Sequence, residues 1–87
     1  MFTITDRTGK VLNGLLEEMH ASNNQSVRLD FHSSAGRMFI DRELPGDEVH
    51  YFQGRKVLLI DAYTSEECTR GLLDFNGSEF VLCDRSI

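Results

Sequence analysis

The sequence predicts an α+β domain: one N-terminal amphipathic helix and a short helical turn on a small, mainly antiparallel, twisted β-sheet or sandwich. Three observations carry this. Val11, Leu12, Leu15, Leu16 and Met19 recur at helical spacing and make one apolar stripe. From Val27 onward the chain breaks into short β-type segments separated by turn residues. Asn76-Gly77, a pair tolerant of positive φ, lies between Leu72–Phe75 and Glu79–Leu82 and marks a two-residue hairpin turn.

Taken in order, Phe2–Thr5 reads as a short edge strand, and Thr5 or Asp6 supplies the side-chain oxygen that caps a helix. Gly9 and Gly14 weaken that helix by roughly 1 kcal/mol each relative to alanine, so it needs tertiary packing. A polar loop, His20–Ser26, ends it. Val27, Leu29 and Phe31 alternate with Arg28, Asp30 and His32 in a half-buried strand, and residues 27–42 form a hairpin through Ser33-Ser34-Ala35-Gly36. Val49–Phe52 is a third strand, and Gln53-Gly54 turns into Lys56–Ile60, the strongest β segment and the expected centre of the sheet. Glu66–Arg70 forms a helical turn stopped by Gly71. The expected core contains Ile4, Leu12, Leu15, Leu16, Leu29, Val57, Leu59 and Phe80.

At 87 residues the chain has room for one domain, 1–87, and its 40% hydrophobic and 26% charged content argues against disorder. Fourteen acidic against nine basic residues leave a formal charge of -5, which disfavours nucleic-acid binding. No apolar run approaches the roughly 20 residues that span a bilayer. The opening MFTITDRTGK is not patterned as a signal peptide, so a membrane role is not expected and a cytoplasmic location is. Two cysteines, Cys68 and Cys83, are too few for a disulfide scaffold.

No chemical constellation assembles from the remaining residues. His20, His32 and His50 form no paired spacing for zinc. Asp41, Glu43, Asp47 and Glu48 surround the Pro45-Gly46 turn and read as a solvated acidic loop, where burial cannot shift a carboxyl group into acid–base work. Ser33 and Ser34 adjoin His32 only along the strand, and strand neighbours face opposite ways. Cys68 reads as a small buried hydrophobe. An enzyme is not expected.

The order of elements resembles the HesB/IscA-like domain, the A-type carriers of iron–sulfur cluster assembly. Ile4-Thr5-Asp6 precedes the helix, Arg28-Leu29 opens a strand after a polar loop, and Gly54-Arg-Lys-Val-Leu-Leu-Ile-Asp61 matches a glycine–lysine–valine strand. Gly71 leads into the last hairpin, with Phe75 and Phe80 along it. The resemblance implies that fold. It also implies three cysteine ligands, one in a Gly-Cys-Ser-Gly turn and two in a C-terminal Cys-Gly-Cys. This chain has Ser33-Ser34-Ala35-Gly36 at the turn, and Cys83 stands after the last hairpin outside any such pair. The resulting expectation is a non-enzymatic, ligand-deficient accessory or protein-binding module with no cofactor. The alternative is a weak iron or iron–sulfur carrier that pools Cys83 across a dimer, one ligand per chain where a cluster uses four. Edge strands pair with other chains and the resembling family self-associates, so a homodimer is expected; the protein partner is not specified.

Overall fold

The computed structural model describes residues 2–30, 37–67 and 71–84, without the side chains of residues 67 and 82–84. Among these residues, seven strands and two helices follow in the order β1 (Thr3–Ile4), α1 (Asp6–Glu18), β2 (Gln25–Asp30), β3 (Arg37–Arg42), β4 (Glu48–Phe52), β5 (Arg55–Ile60), α2 (Ala62–Glu67), β6 (Gly71–Phe75) and β7 (Phe80–Asp84). They form a four-stranded sheet ordered β3-β2-β5-β4 and a three-stranded sheet ordered β1-β6-β7. The hairpin pairs β2/β3, β4/β5 and β6/β7 are antiparallel, whereas β2/β5 and β1/β6 are parallel. The α+β class and the mainly antiparallel character hold, and each sheet is mixed. No helix among the described residues is long and apolar enough to cross a membrane.

β5 is central because it can be covered on both faces. Val57, Leu58, Leu59 and Ile60 are all fully buried, the unbroken apolar run expected where a parallel neighbour lies inside a sheet. Val57, Leu58 and Ile60 join Phe2, Leu12, Leu16, Val27, Leu29 and Leu73 in the main core, with Ile4 and Phe80 packed against it. In register, Phe39, Arg28, Leu59 and Val49 form one cross-strand row over the four-stranded sheet.

Helix α1 starts as its sequence requires. Thr5 is the N-cap, and its hydroxyl oxygen accepts from Thr8 N. The end is a Schellman motif: His20 N donates to Glu17 O and Ala21 N to Leu16 O, with His20 in the left-handed region at φ 53°. The buried face is rotated from the apolar stripe. Thr8, Gly9, Leu12 and Leu16 are buried, whereas Leu15 is 37% and Met19 61% exposed. Leu15 therefore leaves the expected core. The cause is a close approach at Gly9, where an added Cβ would stand 2.6 Å from Phe52 Cδ1. A residue without a side chain draws that face of the helix onto β4, so Leu15 and Met19 swing to the wall of an open apolar groove of about 340 Å³, shared with Met38, Phe39 and Phe80.

Two local expectations need correction. Phe75 pairs with Phe80, so the loop at Asn76-Gly77 has four residues rather than two. Gly77 takes φ 103°, while Asn76 Oδ1 accepts from Ser78 N at 3.0 Å and Glu79 N at 2.9 Å. The asparagine serves as a side-chain cap. The true two-residue turn is Gln53-Gly54, both at positive φ, between the paired Phe52 and Arg55. The second helix begins at Ala62 rather than Glu66, because Asp61 Oδ1 accepts from Thr64 N at 2.7 Å and caps it. Residues 68–70, the end of the expected turn, lie outside the described residues.

Candidate functional site

The positions that would carry cluster chemistry fall on the β2–β3 arm and on β7. Ser33-Ser34-Ala35-Gly36 lies between β2 and β3, outside the described residues, as do Cys68 and His32. Cys83 sits in β7 with its backbone opposite Leu72; its side chain is not described. The segment 33–36 supplies hydroxyls and a methyl, whereas iron–sulfur clusters are typically held by thiolates. No group of three or more His, Cys, Asp or Glu stands together for a metal among the described residues.

The structure gathers the carboxylates of the Pro45-Gly46 segment in an order that local pattern does not reveal. Arg28 has a side chain 7% exposed. Its Nε donates to Asp41 Oδ2 at 2.5 Å, Nη1 to Asp47 Oδ1 at 3.0 Å, and Nη2 to Asp47 Oδ2 at 2.7 Å and to Arg42 O at 3.1 Å. Asp47 is 2% exposed, and its Oδ2 also accepts from Leu44 N at 2.7 Å. Asp47 therefore clamps the chain between β3 and β4 while facing the guanidinium in a bidentate fork. Asp47 and burial act in opposite senses on Arg28, and Asp47 prevails, so its proton is held more tightly than usual. Asp41 is held below the ordinary carboxylate range, first by the Arg42 N–H and then by Arg28.

The other two acids are also committed. Glu43 Oε1 pairs with Lys56 Nζ at 2.8 Å. Glu48 Oε1 accepts from Ser65 Oγ at 2.7 Å, and Glu48 Oε2 lies 2.5 Å from His50 Nε2. The His50 ring meets Phe2 edge-on at 5.7 Å. The solvated acidic loop of the sequence reading holds at Glu43, 44% exposed, and is corrected at Asp47, 2% exposed; each of the four carboxylates holds a partner. Ser65, Glu48 and His50 do not make a nucleophile–base pair. The carboxylate stands between serine and imidazole, and activation of a serine requires the serine–base hydrogen bond. The arrangement ties β4 to α2. His20 is exposed at the end of α1 and joins neither group.

A search of protein families and one of curated proteins each find nothing that matches this sequence. Among solved structures the chain is similar to Escherichia coli SufA, described as involved in biosynthesis of iron–sulfur clusters. The TM-score is 0.68 at 15% identity, over 98% of this chain and 87% of that one. At this identity the likeness establishes the fold, which is the one the HesB/IscA-like resemblance implies.

Proposed function

We propose that this protein is a non-enzymatic, ligand-deficient module on the SufA fold, acting by protein contact as an accessory to iron–sulfur cluster biosynthesis. One observation carries the reading: a SufA-like fold over 98% of the chain combined with Ser33-Ser34-Ala35-Gly36 where the carriers have a cysteine turn. Folds are retained after their sites are lost, and function then follows the remaining surfaces.

Reconstitution tests the proposal. The protein is incubated anaerobically with iron and sulfide, desalted, and measured by visible absorbance and iron content. The expected result is a colourless protein without retained iron, in both the natural sequence and Cys83→Ser. A stoichiometric cluster that disappears in Cys83→Ser would overturn the proposal in favour of a carrier using Cys83 across a dimer.

A further inference from the structure

Two shallow cavities meet at Tyr51. One, of about 510 Å³, lies against the start of α1 and is lined by Arg7, Lys10, Tyr51 and Gln53, with Asp6 and Phe52. The other, of about 420 Å³, lies along the β4–β5 turn and includes Tyr51, Gln53, Arg55 and Lys56. Sharing Tyr51 and Gln53, they form one saddle. The chain has nine Lys and Arg in all and a charge of -5; among the described residues four of those cations, Arg7, Lys10, Arg55 and Lys56, line this saddle with one carboxylate, Asp6, and two of the four are paired with carboxylates outside its lining.

The local sequence explains the shape. Phe52 packs inward against Gly9, so its strand neighbour Tyr51 points outward and is 58% exposed. The tight Gln53-Gly54 turn then returns the chain at once to Arg55 and Lys56. Arg7 and Lys56 are paired with Asp74 at 3.0 Å and Glu43 at 2.8 Å. Lys10 is exposed and makes no ion pair among the described residues. Arg55 donates Nη2 to Ala21 O at 3.2 Å, and its Nε is buried with no acceptor. Among the described residues, Lys10 and Arg55 thus have no carboxylate partner, and each lines a cavity that the exposed Tyr51 ring also lines.

We infer that the Tyr51 saddle docks an acidic segment of a partner protein, with carboxylates on Lys10 and Arg55 and an apolar side chain on the Tyr51 ring. The cavities are open and shallow, unlike the enclosed, mostly apolar sites that hold small ligands. A nucleic acid is a long polyanion and meets the field of the whole acidic chain, whereas a short segment reads the local cations. The inference names a partner class for the protein-binding role proposed above and rests on that reading.

The test is fluorescence anisotropy on the full chain without iron or sulfide. The probe is a labelled synthetic peptide of Asp and Glu flanking one leucine, compared with a lysine counterpart and single-stranded oligothymidine. The acidic peptide binds, and high salt weakens it. Lys10→Glu lowers its affinity about tenfold and Tyr51→Ala about fivefold. Arg42→Glu, which alters an exposed cation outside the saddle, leaves binding unchanged. Melting curves confirm that each variant is folded. No binding, equal loss in Arg42→Glu, or tighter binding of oligothymidine each overturns the inference. Because cluster loading is absent from this measurement, its failure is distinct from a failure of the reconstitution test.

Discussion

Of the arginine–aspartate pairs among the described residues, Arg28–Asp47 is buried and Arg7–Asp74 lies at the surface. Arg28 meets Asp47 at 2.7 Å with side chains 7% and 2% exposed. Arg7 meets Asp74 at 3.0 Å with side chains 61% and 28% exposed. Inside, each partner has been stripped of water, so each depends on the other. Outside, water replaces either partner at little cost. The distances alone would rank the pairs as near equals; burial separates them.

The largest expected effect comes from breaking the buried pair. Arg28→Ala leaves Asp47 buried without its counter-charge and should destabilise the fold by about 3–5 kcal/mol, read as a lower urea midpoint. Arg28→Lys should recover only part of this, because an ammonium cannot repeat the fork to Asp47 and the bonds to Asp41 and Arg42. A loss below about 1 kcal/mol for Arg28→Ala would mean that Asp47 behaves as a solvated group. Acid probes both regions. Asp41 is depressed by the Arg42 N–H and Arg28, and Asp74 by the Thr5 hydroxyl, the Phe75 N–H and Arg7. A depressed carboxyl group favours the fold while ionised, so this stability is present above about pH 4. It is lost as pH falls through the folded-state values. Urea midpoints across that range should decline less steeply in Asp41→Asn.

A smaller effect sharpens the comparison at the exposed clasp. Thr5 accepts from Thr8 N and donates to Asp74 Oδ1 at 2.7 Å. Thr5→Ala should cost about 1 kcal/mol, the usual weight of an N-cap. Arg7→Ala should cost no more than about 0.5 kcal/mol, and a thermal melt indistinguishable from the natural sequence is its expected signature. A larger loss would show the clasp to be less open to solvent than its exposure indicates.

Legibility followed range along the chain. Lys56–Ile60 announces a central strand through its own composition, and Thr5 announces a cap through its place before the apolar stripe. The buried face of α1 is different. Thr8 is buried because its hydroxyl donates to Leu73 O at 3.0 Å, and Gly9 because Phe52 approaches it; both partners are distant in sequence. The parallel β2/β5 pairing is hidden for the same reason, although the unbroken run Val57–Ile60 carries its trace. Arg28 sits in strand alternation as though it faced water, and only the folded chain brings Asp41 and Asp47 to it. The absence of cysteine from residues 33–36 is visible in sequence alone. The Tyr51 saddle is not, since it joins α1 to a turn about forty residues later.

The parallel pairing of β1 with β6 sets an order of events for the chain as it folds. Thr3 lies opposite Leu72 and Ile4 opposite Leu73, so the first strand has no place to dock until β6 has been made. The β4–β5 hairpin, closed by two residues, can form early, because closing a short loop sacrifices little chain entropy. The three-stranded sheet must therefore assemble around β6 and β7, and the amino terminus arrives last. In refolding experiments Thr8→Val should mainly accelerate unfolding, with a φ-value near zero, while substitutions of Val57 should slow folding itself. A φ-value near one at Thr8 would reverse that order and make the closing of the two chain ends the nucleating step.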